Sequence, residues 1–288
     1  MNLPQVILTN AIQGGGPASS WTTSAVTTGV ALGDAVLVAL NVYVGSGTLS
    51  SLTDSSGNSY TLLQATVNNG YVTALGYCLS ALALGGTFTV TLSSSQTLNV
   101  DLVAAKISGG LSALDVAVSA TQVATNSLSV GPTGTTAVIT ELVIGAFGYW
   151  YQSTSVPTFS AGAGYSSVGQ AATAASDAAG AFLEYQLVNT RGTQTATASV
   201  SAAVNAAGGV VAAFRYVLAT TASAGLTLGA LSLAAAAQFA ALVASGGLTL
   251  TAPSLSASAT PNAAWLGASG SFSWASAYGI SSMTAVQP

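Results

Sequence analysis

The chain has 288 residues, half of them apolar, and only ten are charged: three Lys plus Arg against seven Asp plus Glu, with no His. An ordinary domain is about a quarter charged, so this balance excludes a basic nucleic-acid face, a Cys/His zinc site and an imidazole base, while the single Cys78 excludes a disulfide framework. Disorder is excluded as well, because disordered chains combine low hydrophobicity with high charge.

In chain order, "MNLPQVILTNAIQGGG" has no basic n-region, which argues against a secretory leader. Val36-Leu37-Val38-Ala39-Leu40-Asn41-Val42-Tyr43-Val44 is β-branched and bounded by Gly33-Asp34 and Gly45-Ser46-Gly47, which predicts a central strand. Residues 60–65, 72–79, 87–92, 98–107, 141–149, 181–188, 195–200 and 210–218 predict further strands, with weaker ones near Val6, Val26 and Leu128. Gly85-Gly86, Gly109-Gly110, Gly131-Pro132 and Gly208-Gly209 punctuate them. The Ala-rich span 169–180 reads as a short helix or a loop. Roughly ten short strands suit an all-β fold, two antiparallel sheets stacked as a jelly-roll-like β-sandwich over residues 1–217.

Three places carry residues suited to chemistry. Thr53-Asp54-Ser55-Ser56-Gly57-Asn58-Ser59-Tyr60 offers Asp54 and Asn58 as weak Ca²⁺ ligands, but a calcium loop gathers several carboxylates. One Asp with Asn and Gly fits a hairpin turn better. Tyr149, Trp150 and Tyr151 form an aromatic run that suits a pyranose face or a packed subunit contact; alternation turns only some of them inward. Asp177 and Glu184 are the acids nearest in sequence, as a two-carboxylate glycosidase would need, yet on one strand their spacing gives them opposite faces. Lys106 and Asp101 also have opposite parity, and Arg215 is expected to pair with Asp115 or Glu184. No catalytic set emerges, and the chain is read as a non-enzyme without cofactors or a resident metal.

From 218 to 288 there is no charge at all. Gly225-Leu226-Thr227-Leu228 returns as Gly247-Leu248-Thr249-Leu250, an offset of 22 (247 minus 225) typical of fibre or solenoid repeats. The stretch is long enough to cross a bilayer, but it is mostly Ala, holds Ser232, Gln238 and Gly246-Gly247, and lacks basic flanks, so no membrane span is expected. It reads as a small β-repeat extension for assembly or anchoring, with residues 231–243 either helix or strand. Leu226, Leu228, Leu231, Leu233, Phe239, Leu248, Leu250 and Leu255 are the expected contact positions.

The motifs "VLVALNVYVGSGTLSSLTDSSGNSYTLLQ" (36–64), "YCLSALALGGTFTVTLSS" (77–94), "ISGGLSALDVA" (107–117), "ITELVIGAF" (139–147) and "GGVVAAFRYV" (208–217) follow in that order. Together they resemble a β-sandwich module met in bacterial surface proteins and phage structural proteins, over most of residues 5–217. The resemblance implies an extracellular or virion-associated sandwich used for structure or attachment. The Gly-Leu-Thr-Leu repeats resemble those of phage head fibres and tail proteins. The expectation is a virion protein, a capsid decoration or head-fibre component, homotrimeric and in contact with other virion proteins such as the major capsid protein, binding no nucleic acid. The alternative is a tail fibre or bacterial surface adhesin that takes a host glycan through the aromatics at 149–151.

Overall fold

The computed structural model describes residues 2–174 and 177–216, and the expected repeat extension lies outside them. The described residues form β1 (Gln5–Thr22), β2 (Ala35–Tyr43), β3 (Leu49–Asp54), β4 (Thr61–Val67), β5 (Tyr71–Cys78), β6 (Phe88–Ile107), β7 (Leu111–Val130), β8 (Glu141–Tyr151), β9 (Phe159–Ala161), β10 (Ser166–Thr173), β11 (Ala178–Val188) and β12 (Ala196–Tyr216). Every strand pairing is antiparallel. The all-β expectation holds, with corrections in detail. The strands expected at 87–92 and 98–107 are two parts of the 20-residue β6, and those at 195–200 and 210–218 are parts of the 21-residue β12. No strand forms at Val26. Of the Ala-rich span, residues 169–173 are the end of β10 and 178–180 the start of β11, not a helix. Ala171, Ala178 and Ala179 are buried there in flat packed layers, and that packing overrides the helix preference of Ala.

One sheet has the order β1-β6-β2-β5-β4 with β3 also on β6, and the other β10-β11-β8-β12-β7 with β9 also on β12. Counting the second six strands from one to six gives the same arrangement: first, sixth, second, fifth, fourth, with the third on the sixth. The sandwich is therefore two successive six-stranded units of one topology. The chain completes one sheet before starting the other, which is not the interleaved order of a jelly roll.

Apolar residues fill three layers. Between the sheets, Leu37, Leu75 and Val103 meet Leu142, Ile144, Leu183 and Phe214. On the far side of the first sheet, Val36, Val38, Leu40 and Leu102 are covered by Leu52, Phe88 and Val90, so β3 and the first half of β6 pack over the sheet's own outer face. The second sheet repeats this: Phe159, Ala196, Ala198 and Val200 cover Val143, Phe147, Phe182 and Val211. Such double coverage explains why β2 is buried on both faces and reads as a continuous apolar run rather than an alternating one.

The middle of the inter-sheet layer is polar. Asp101, Asn41 and Thr73 are neighbours across β6, β2 and β5, and all three are 0% exposed. Asn41 Nδ2 donates to the carbonyl of Tyr149 across the layer (2.8 Å), and the Thr73 hydroxyl donates to Asn41 Oδ1 (3.2 Å). Opposite this row stand Gly148 and Gly208, paired across β8 and β12. A Cβ at Gly148 would lie 2.5 Å from Thr73 Oγ1 and 2.6 Å from Asn41 Oδ1; one at Gly208 would lie 2.8 Å from Thr73 Oγ1. Gly148 and Gly208 lie on the second and sixth strands of the second unit, as Asn41 and Asp101 lie on the second and sixth strands of the first. Polar side chains of one unit thus sit where the other unit has no side chain.

Gly148→Ala is expected to destabilise the sandwich by about 1–3 kcal/mol through overpacking. Gly192→Ala, where an added Cβ meets nothing within 4 Å, is expected to change stability by less than about 0.5 kcal/mol. Urea unfolding of the two variants checks the pair.

Candidate functional site

The turn between β3 and β4 is built around one carboxylate. Asp54 Oδ1 accepts from the backbone N–H groups of Ser56 (2.9 Å) and Asn58 (3.1 Å); Oδ2 accepts from Asn58 Nδ2 and the Tyr60 hydroxyl, both at 2.8 Å. Asn58 Oδ1 in turn accepts from the N–H of Leu82 (2.7 Å), which ties the turn to the next loop. Gly57 supplies the left-handed φ of 84° that the turn needs. Burial and the hydrogen bond to Asp54 hold the Tyr60 phenol well above its ordinary range. The donors that surround Asp54 make the segment a structural turn, and among the described residues no cluster of three or more acidic, His or Cys side chains is placed to hold a metal.

The aromatic run does not form an open platform. Tyr149 is 0% exposed, stacks obliquely on Phe159 (5.1 Å) and donates its hydroxyl to the carbonyl of Pro157 (2.8 Å). Phe159 stacks in turn on Phe182 (5.0 Å). Trp150, on the opposite face of β8, packs half-buried with Tyr43 against Val67, Tyr71, Ala179 and Ala206 at one end of the inter-sheet layer. Tyr151 is half-buried against the outer core of the second sheet. Trp150 and Tyr151 keep some solvent contact; Tyr149 has none. The assembly positions Leu226, Leu228, Leu231, Leu233, Phe239, Leu248, Leu250 and Leu255 lie outside the described residues.

The acidic groups are distributed in a way that spacing did not foretell. Asp34, Asp54, Asp101, Glu141 and Glu184, five of the seven, are buried. Asp34 is satisfied by the N–H groups of Ala31 and Gly109 (3.0 and 3.1 Å). Arg215 pairs with Asp115, one of its two expected partners, and Asp115 also accepts from the N–H of Ala137. Burial works against ionised Asp115, but these donors outweigh it and hold its carboxyl below the ordinary range. Asp177 precedes β11 and Glu184 lies within it, seven residues on, about 24 Å along an extended chain at ~3.4 Å per residue. The two carboxylates are not brought together. Lys106 points away from Asp101 and donates to the carbonyl of Gly29 (2.6 Å).

Three further carboxyls are buried within strands: Asp101 beside Asn41 and Thr173, Glu141 beside Asp115 and Arg215, and Glu184 in β11. Both oxygens of Asp101 and both of Glu141 lack a hydrogen-bond partner, as does Glu184 Oε1; Glu184 Oε2 accepts from the N–H of Gly162 (3.1 Å). Burial pushes Asp101 well above its usual range, Glu184 up to about 8 and, with the neighbouring Asp115 charge adding, Glu141 up to about 7. Nothing in the sequence marks these three as buried; Glu184 stands out there only as a candidate partner of Asp177 or Arg215. No family model, curated protein or solved structure matches the chain.

Asp54→Ala is expected to cost about 2–4 kcal/mol, because it strands several buried donors at once; addition of a chelator should leave the melting temperature of the wild-type chain unchanged. For the buried glutamates, an unfolded side chain releases its proton near 4.5, whereas the folded chain keeps it to about 7 and about 8. The folded state therefore binds more protons over that window, so the contribution of these two groups is greatest near or below pH 4.5 and falls as pH rises to about 8. The slope is at most about 1.4 kcal/mol per pH unit for each carboxyl. Asp115 acts with the opposite sign, its contribution being lost only in acid as pH falls through its lowered value. Glu184→Gln should flatten the decline between about pH 5 and pH 8, read from urea midpoints.

Proposed function

We propose that this protein is a structural component of a bacteriophage particle, a capsid decoration or head-fibre protein located on the virion. It assembles with copies of itself and with other particle proteins through uncharged surfaces. The observation that carries the reading is the near absence of exposed charge. Ten charged residues are already few, and burial of five acids and the Arg215–Asp115 pair leave little ionic surface on the sandwich. Centres of protein interfaces are depleted of Lys, Glu and Asp in the same way, and a surface with little net charge has little to oppose association. The charge-free residues 218–288 extend that character. Scarce Lys and Arg also mean few cleavage sites for basic-residue-directed proteases. Among the described residues no helix is long and apolar enough to cross a membrane.

A second reading, a tail fibre or bacterial surface adhesin that binds a host glycan, rests on Trp150 and Tyr151 being only half-buried. Loss of glycan-array binding in Trp150→Ala with assembly intact would favour it.

A chain truncated after Val217 is expected to be soluble and less associated than the full chain. Sedimentation of both forms, with electron microscopy of native particles, checks this; a full-length chain that stays monomeric and has no particle partner would overturn the leading reading.

A further inference from the structure

The two units present equivalent outer strands, β1 in the first and β7 in the second, each hydrogen-bonded to the long sixth strand of its own unit. Such edges expose unpaired N–H and C=O groups and template the addition of another strand unless something blunts them. The two edges differ in how they are treated. β1 carries Pro17 and four register shifts against β6, between Val6 and Leu8, Ile12 and Gly15, Gly15 and Pro17, and Ala18 and Ser20. Proline and bulges are the usual devices that stop edge pairing. β7 has three register shifts against β12 and a left-handed Ala124 (φ 47°), but all fall outside Val116–Val123, where the register runs without a break from Val116↔Ala213 to Val123↔Ala206 and there is no Pro.

The same stretch, Val116-Ala117-Val118-Ser119-Ala120-Thr121-Gln122-Val123, has no charged residue and no Pro. Val116, Val118 and Ala120 turn toward the outer core of their sheet. Ala117, Ser119, Thr121 and Val123 are exposed, Val123 to 60%. They lie on the side of the sheet that faces the first unit, where β4, itself an edge strand, packs beside β7. Among the described residues the second sheet thus ends in a ledge of small, neutral side chains along a backbone edge that pairs with no further strand.

We infer that β7 is a self-pairing edge: Val116–Val123 of one copy adds antiparallel to the same stretch of a second copy about a two-fold axis, joining their second sheets. The occupant follows from the chemistry of the edge. It offers no ion pair and no deep apolar socket to a foreign partner, only a regular backbone ladder and small neutral side chains. A second β7 is the matching surface, because a neutral stretch pairs with itself in antiparallel register without bringing like charges together. This proposal rests on the self-association proposed above and names one surface that carries it.

The test is sedimentation velocity of the full chain against Ser119→Lys/Thr121→Lys, which sets four ammonium groups against one another across the two-fold. A control, Ser166→Lys/Ser167→Lys, places the same charges on two exposed positions of β10. The expected result is at least tenfold weaker self-association for the β7 variant, relieved by high salt, with wild-type behaviour for the control and unchanged melting of both. Disulfide cross-linking between copies of a Cys78→Ser/Ala120→Cys chain, if that fold is retained, supplies a second readout that does not depend on added charge. An oligomer, including a trimer, whose mass is untouched by the β7 lysines overturns the inference while leaving the assembly reading standing. Equal dissociation of the control also overturns it. A monomeric wild-type chain removes both.

Discussion

The contact of Asn41 and Thr73 with Gly148 and the backbone of Tyr149 governs the rest of the sandwich. Two sheets that meet only through apolar side chains have freedom to slide, because hydrophobic attraction is non-directional. Here an amide donates across the layer to one particular carbonyl, and the side chain of Asn41 sits where Gly148 has none. Displacement would leave the amide buried without its acceptor, a penalty of about 1–3 kcal/mol. With the middle pinned, the apolar residues to one side and the Tyr43, Tyr71 and Trp150 cluster to the other close around a set spacing.

The charge of this protein is placed as unusually as it is rationed. Where most domains put carboxylates in water, this one buries five of seven, two of them as the hydrogen-bonded centres of turns at Asp34 and Asp54. The other three, Asp101, Glu141 and Glu184, lie within strands, where burial raises their hold on a proton.

Much of the architecture was legible because burial leaves a mark on local pattern. The run from Val36 is apolar at nearly every position because β2 is covered on both sides, and the Asp54 turn declared itself through Asn and Gly at the spacing that a tight turn requires. What was hidden was hidden for physical reasons. The long strands β6 and β12 pass through Ser-rich or Gly-containing middles that read as breaks, although the backbone pairs through them with shifts in register. The shared topology of the two units was invisible because it lies in the pairing of distant strands, and where the sheets meet Asn41 and Thr73 face Gly148 rather than a residue like themselves. The aromatic run was legible only in part: parity told that its members diverge, not that Tyr149 lies beneath Phe159.

The order of strands also has a meaning in time. In each unit the first strand pairs with the sixth, Gln5 opposite Lys106 and Leu111 opposite Tyr216, so neither sheet can close until its last strand is available. Pairings this distant in sequence place such folds among the slower ones, on the scale of milliseconds to seconds. Because each sheet is drawn from one continuous stretch of the chain, the first can be complete while the second is still being synthesised. During that interval Leu37, Leu75 and Val103 face no partner. The nascent first sheet is thus an unfinished surface waiting for its own continuation, and the order of translation supplies the partner nearest at hand.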